Sequence, residues 1–379
     1  MQFKSFTELF VSYCCQNIKN VLKVAHFQED IMFGLLNDII PYISGLWTLP
    51  WIAVGFFVTL ALSRIYGEER INRLMKKIGL VLLFVFIPIL VFRLFLNIDF
   101  REEEIDFVIL SCIFITLLYG LAYVFALRNS KKISLTGEKR IDFIKTVVVN
   151  QGRSAAFFGS AILSIEKLEI FAAIYLTLLG IFLFAAVPYV LSVMHKKDIE
   201  GGNKQKNPLP LYLRIYPWYL LIFPISAVFI HGHAGITTAS NDYGILLKFL
   251  GAVTIPAALY YVGSGIKIRD IKMTELKKLF FGKSSDEMGW VKHILLLTMV
   301  ITPIVVTISC VILSISGIIP TTWAAVLIIN SILPITSTNM FLIPYGIDKR
   351  VTALSVTWST FFSIPIFVVL LYVFTVLFG

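Results

Sequence analysis

Polar residues along this chain come in short clusters, and between the clusters the side chains are apolar for stretches long enough to cross a bilayer. A spanning helix needs about 20 apolar residues. On that measure the pattern predicts helices over roughly 43–63, 78–96, 105–127, 145–165, 170–194, 212–231, 244–266, 291–315, 322–345 and 353–378. The expected fold class is an all-α polytopic membrane protein of about ten transmembrane helices, because helices satisfy their own backbone groups in lipid.

Composition agrees with this class. The 379 residues are 58% hydrophobic, 14% aromatic and only 15% charged, with a mean hydropathy of +0.84, whereas a soluble chain carries about a quarter charged residues. Cys14 and Cys15 are adjacent, and Cys112 and Cys310 lie in apolar runs, so no metal spacing or disulfide framework emerges. The start, "MQFKSFTELF", lacks the three regions of a signal peptide. Over residues 1–42, Phe3, Phe6, Phe10, Tyr13 and Val21 recur near helical spacing among Lys4, Lys19 and Lys23. This reads as an amphipathic interfacial extension, with a frayed leader as the alternative.

Charge orients the spans. The polar segments 64–77, 128–145, 195–214, 267–292 and 346–350 hold 25 of the 33 Lys and Arg residues, while the alternate segments hold only Arg101 and Lys167. By the positive-inside rule the first set is cytoplasmic and both ends of the transmembrane region face outside. A multi-pass protein of the cell membrane (plasma or bacterial inner) is expected, with the bilayer as its constant partner and no nucleic-acid partner.

The prolines repeat. Pro50 and Pro88 are 38 residues apart in spans one and two, and Pro217 and Pro256 are 39 apart in spans six and seven. Span five carries Pro188 and span ten Pro365. Spans four and nine are rich in small polar residues, "VVVNQGRSAAFFGSAIL" and "LIINSILPITSTNMFLIPYG". Two five-span halves follow, a first repeat over 43–194 and a second over 212–379, joined by a cytoplasmic linker at 195–211. An odd span number per half makes the repeats inverted, as in many secondary transporters.

Pro334 lies within "NSILPITSTNM" (330–340), in the ninth apolar stretch. A broken helix persists in a membrane only inside protein or beside a cavity. Half-helix ends and small polar side chains in spans four and nine are then placed to meet a solute near the midplane, although Ser, Thr and Asn also join helices without any solute.

"LLFVFIPILVF", "SAAFFGSAIL", "FLGAVTIPAALYYVGSGI" and "ILPITSTNMFLIPYGIDKRVTALSVTWSTFFSIP", in this order over residues 45–378, resemble the auxin efflux carrier family. That family includes PIN-type and bacterial malonate or malate carriers and belongs with the bile-acid, arsenite and riboflavin transporters. The resemblance implies a five-plus-five fold in which helices four and nine cross at prolines beside the substrate. Family members usually carry an Asn and then Gly-x-Pro at the first crossing. Here Ser154 stands at the Asn position and Ala161 at the Pro position, after Gly159. Only Pro334 is kept, so a milder first break is expected.

The candidate substrate-binding residues are Asn150, Arg153, Ser154, Asn330, Ser331, Thr336 and Asn339. The candidate crossover or hinge residues are Gly159, Ala161, Pro334, Pro88 and Pro256. Among charges inside the spans, Arg93 and Lys248 lie near predicted outer ends, where long stems snorkel to the interface. Arg153 lies one residue from the predicted crossing. Its guanidinium fork suits a carboxylate or phosphate, or it serves carbonyls freed by the break, or it snorkels.

"HGHAG" (231–235) reads as an outer-surface loop, since two histidines without a carboxylate or thiolate make a poor metal site. "GEERINRLMKK" and "SSDEMGWVK" read as solvated cytoplasmic faces. No nucleotide-phosphate loop, HExxH pair or nucleophile elbow occurs. Neither an enzyme nor an ATP-driven pump is expected.

The function these features imply is secondary transport of a small, carboxylate-like organic anion by alternating access. The direction, with efflux one option, and the coupling ion (H+ or Na+) stay open. A sodium-coupled bile-acid-type carrier and a non-transporting sensor on the carrier fold are the alternatives. No cofactor is expected, and a homodimer is an open assembly state.

Overall fold

The computed structural model describes residues 50–98, 101–154, 165–191, 210–240, 242–266 and 286–378, together with Gly34, Met194 and Leu279. The 1–42 extension (Gly34 apart), nearly all of the 195–211 linker, and Gly159 and Ala161 lie outside the described residues.

The described chain is helical, and its one β-type pairing is an isolated bridge. Seven of its helices are long and apolar enough to cross a membrane. In chain order the helices are α1 (Trp51–Tyr66), α2 (Glu68–Phe95), α3 (Glu102–Lys132), α4 (Gly137–Val149), α5 (Glu169–Leu191), α6 (Leu211–Ala234), α7 (Asp242–Ser264), α8 (Glu287–Ile315), α9 (Thr321–Ile332) and α10 (Lys349–Phe378). Of these, α1, α4 and α9 fall outside the seven long ones. Large apolar side chains such as Phe57, Leu117, Phe229 and Ile304 are exposed on the outer surface, as expected for a protein that meets lipid.

Local chemistry sets the helix ends. Helix α3 opens with a capping box in which the Arg101 N–H donates to Glu104 Oε2 at 2.8 Å. Glu102, Glu103 and Glu104 in its first turn and Lys131 and Lys132 in its last match the helix dipole. Helix α6 closes at Gly235, whose left-handed backbone (φ 63°) lets its N–H reach His231 O at 2.8 Å.

Three helices widen into a π turn just before a proline. Leu82–Phe86 precedes Pro88, Phe182–Ala186 precedes Pro188, and Leu296–Ile301 precedes Pro303. The wider turn makes room for the ring, which would otherwise clash with the preceding turn. It also leaves carbonyls without helical donors, and side chains from elsewhere meet some of them. Tyr219 on α6 donates its hydroxyl to Phe84 O at 2.7 Å.

Two groups of helices emerge. In the first, α1 lies against α7 at glycine contacts, with Gly55 on the Tyr260 carbonyl and Gly263 on the Ile52 carbonyl, so the backbones approach as small residues allow. Helices α2 and α6 complete this group. The second contains α3, α4, α8, α9 and α10, and its core includes Phe143, Val147, Trp290, Val291, Ile294 and Trp358. Helix α5 packs between the groups, against α2 and α6 on one side and α3 and α9 on the other.

The structure corrects several sequence expectations. Segment 64–77 is helical on both sides of Gly67 and carries its charges on exposed helix faces. The fourth helix starts at Gly137 and stops at Val149, well before the expected 145–165. "HGHAG" belongs to the last turn of α6, where His233 stacks on Phe229 with ring centroids 4.1 Å apart. Arg93 does not reach freely to the interface. Its side chain is 14% exposed, lies 3.9 Å from Glu169 Oε1, and fills the space over Gly251.

Candidate functional site at the paired helix breaks

Helices α4 and α9 both stop in the interior, and their stops meet. At the end of α4, Asn150 N–H still bonds Thr146 O, but Gln151 and Gly152 fall into tighter turns onto Val148 O and Val149 O. At the end of α9, Leu333 is extended (φ −62°, ψ 153°), as a residue before proline prefers. Arg153 and Ile335 then form an antiparallel bridge. Ser154 N–H donates to Pro334 O at 2.9 Å, and Thr336 N–H donates to Gly152 O at 3.0 Å.

Each break thus supplies hydrogen-bond partners to the other, which removes part of the cost of unpaired backbone in a low-dielectric interior. The first break is no milder than the second. It needs no proline, because Gly152 permits the close approach: a Cβ there would stand 3.0 Å from Asn339 Oδ1 and 3.3 Å from Thr336 Cγ2. Within the bridge, Ile335 N–H donates to Ser359 Oγ on α10 at 3.0 Å. Past the bridge, Thr336 caps a 3-10 segment, Ser337–Tyr345, by accepting Thr338 N–H at 3.3 Å.

Arg153 is buried at 4% exposure and its donors point at carbonyls. Nη1 donates to Leu333 O at 3.2 Å and Nη2 to Thr298 O at 2.8 Å. Both acceptors lack a helical partner for a stated reason. Leu333 lies where α9 ends. In the π register, where Thr302 N–H bonds Leu297 O, the Thr298 carbonyl would be served by Pro303, which has no N–H. A bidentate Arg153 fork on a solute carboxylate is therefore not available in this conformation, and Nε is its one buried donor without a partner.

The other expected site residues divide into two sets. Ser154 and Thr336, with Arg153, border a cleft of about 730 Å³ that includes open space at its mouth. Ser337 and Thr338 border it too. Asn150, Asn330, Ser331 and Asn339 do not border it. Asn150 Nδ2 donates to Thr146 O at 2.8 Å and Thr352 Oγ1 at 3.2 Å, Asn330 Nδ2 donates to Tyr175 OH at 3.1 Å, and Ser331 Oγ donates to Ile328 O at 2.7 Å. Asn339 is fully buried beside Gly152 with neither amide atom partnered. Pro334 lies at the break itself. Pro88 and Pro256 lie inside α2 and α7 and not at the bridge between the two breaks. Their helices form the opposite wall of the cleft through Leu82, Leu83, Ile87, Ala258 and Tyr261.

Sequence reading missed several members. Gln151 reaches Thr302 Oγ1 at 3.1 Å, and Lys145, assigned to a loop, is buried at 1% with its ammonium near Gly346. Thr352, Ser355, Ser359 and Ser363 form a buried polar stripe along α10. Their helical spacing within "VTALSVTWSTFFS" was the available signal.

No family model matches the chain, and no curated protein matches it significantly.

Proposed function

We propose that the protein is a secondary carrier that moves a small organic anion across the cell membrane by alternating access. On this reading it has ten transmembrane helices in two inverted five-helix repeats, with both ends of that region outside. The bridge between the α4 and α9 breaks carries the reading. The two breaks fall five helices apart in the chain, occur at equivalent places in the proposed halves, and pair antiparallel, as inverted repeats require. The resemblance to the auxin efflux carrier family supports the same assignment.

The cleft supports alternating access because it lies between the two helix groups. Its apolar wall comes from α2, α5, α6 and α7, and its polar edge comes from Arg153, Ser154 and Thr336–Thr338. Sliding one group against the other would open the cleft to alternate sides while the bridge keeps the polar edge intact. The start of the Ser337–Tyr345 segment faces the cleft, and its N–H end favours negative charge, with Arg153 adding to the positive field. Leu82, Leu83, Leu176, Leu179 and Leu220 suit an apolar body behind that head group. The substrate class is thus an amphipathic carboxylate.

Radiolabelled carboxylates, preselected by the thermal shift they give with detergent-purified protein, test this in proteoliposomes. Saturable flux above that of empty liposomes is expected. Binding without flux would overturn the carrier reading in favour of a sensor.

A further inference from the structure

We propose that the centre of the crossover is a cation site that Arg153 fills from within the chain, so that the protein needs no Na+, and that removing the guanidinium uncovers a site for a monovalent alkali cation. This goes beyond the carrier proposal, and it is tested by binding, so either can fail without the other.

The chemistry around Arg153 is that of a cation site made of neutral oxygens. Helices α4 and α9 both end here, and helix C-termini carry partial negative charge. The two Nη groups cover Leu333 O and Thr298 O, carbonyls that no helical N–H serves. Asn150 Oδ1, Gln151 Oε1, Asn330 Oδ1 and Asn339 Oδ1 belong to the two segments that form the break, each on a side chain at most 3% exposed and each without a partner, and Asn339 Oδ1 lies beside Gly152. The Asn150 orientation is set by its Nδ2 donating to a carbonyl, so its oxygen is free. Acceptors therefore outnumber donors in a buried place, where each unpartnered group is costly.

Among the described residues no carboxylate pairs with Arg153. A buried guanidinium without an acid must be neutralised by dipoles, and here carbonyls at broken helices do so. Carbonyls at broken helices are also the ligands that hold coupling ions in membrane carriers. Neutral oxygens offset one positive charge far better than two, so the class is a monovalent cation, and Arg153 already occupies the place.

The experiment compares melting of the wild type and Arg153→Ala in detergent, in NaCl and in choline chloride at equal ionic strength, with methylguanidinium chloride as a third salt. The wild type should melt alike in NaCl and choline chloride. Arg153→Ala should gain a saturable rise of roughly 3–8 °C with Na+ or with methylguanidinium, as a site-bound ligand of modest affinity gives. A saturable Na+ shift in the wild type would overturn the proposal, because the site would then not be filled. A folded Arg153→Ala that ignores both cations would overturn it as well. Recovery of Arg153→Ala only when purified in NaCl supports it. If it is lost in both salts, Arg153→Gln is read by the same criteria, and loss of both variants in every salt would also overturn it, since no free cation then replaces the guanidinium.

Discussion

Ser154 and Pro334 lie in different halves of the chain, yet the N–H of one meets the carbonyl of the other at 2.9 Å. This bond and its companion from Thr336 to Gly152 make one extended crossing from two broken helices.

Pro334→Ala restores an N–H and removes the ring that forces Leu333 to be extended. Proline costs about 3 kcal/mol more than alanine within a helix, so α9 gains that much tendency to run on. Membrane insertion should be unchanged and, on the proposed function, substrate flux should fall at least about tenfold, a loss of about 1.4 kcal/mol. Flux per inserted molecule checks this.

Gly152→Ala tests the closeness of the crossing. Its Cβ would stand 3.0 Å from Asn339 Oδ1 and 3.3 Å from Thr336 Cγ2, both on buried residues. Overpacking of this kind costs about 1–3 kcal/mol. Thermal melting should shift down, and flux should fall with it.

Glycines at the α1–α7 contact should be far less tolerant than those on outer faces. Gly263→Ala drives a Cβ into the Ile52 carbonyl, whereas nothing lies within 4 Å of the Cβ position at Gly120. Gly263→Ala should reduce the folded fraction in size-exclusion chromatography. Gly120→Ala should be neutral or stabilising by up to about 1 kcal/mol.

Thr336→Val keeps shape and removes the hydroxyl that accepts Thr338 N–H and pairs with Thr338 Oγ1 at 2.7 Å. Losing such a cap costs about 0.5–2 kcal/mol. On the proposed function, the freed N–H end is held less firmly against the cleft. The half-saturating substrate concentration should rise roughly 2- to 30-fold at 1.4 kcal/mol per decade, with melting lowered by about a few degrees.

Ala258→Trp places an indole in the apolar wall of the cleft, opposite the crossing. On the proposed function, carboxylate binding by calorimetry should be lost while the protein stays monodisperse, since Ala258 is only partly buried.

Much of the helical architecture was legible because bilayer-length apolar runs carry a strong signal, and the break at Pro334 was legible because proline has few places in a helix. The break in α4 was legible only through its small polar residues. Its cause is the partner strand around Ile335, and no local pattern near Gly152 announces a pairing so remote. Arg153 was visible as a misplaced charge, but its carbonyl partners depend on a π turn at Leu296–Ile301, a feature with no distinct periodicity of its own. Lys145 was hidden because a boundary drawn from hydropathy assigned it to a loop.

The bridge also governs how the protein is made. Gly152 and Ser154 leave the translocation machinery long before Pro334 has been synthesised, since the partners lie about 180 residues apart, as Arg153 and Leu333 do. Throughout that interval the first crossing has no second strand, and folding it into a low-dielectric interior would leave its N–H and C=O groups unpaired, at several kcal/mol each. The first crossing therefore cannot take its final hydrogen bonds until α9 is present. Closure of the bridge is then a late step of biogenesis, set by the slow assembly of contacts distant in the chain.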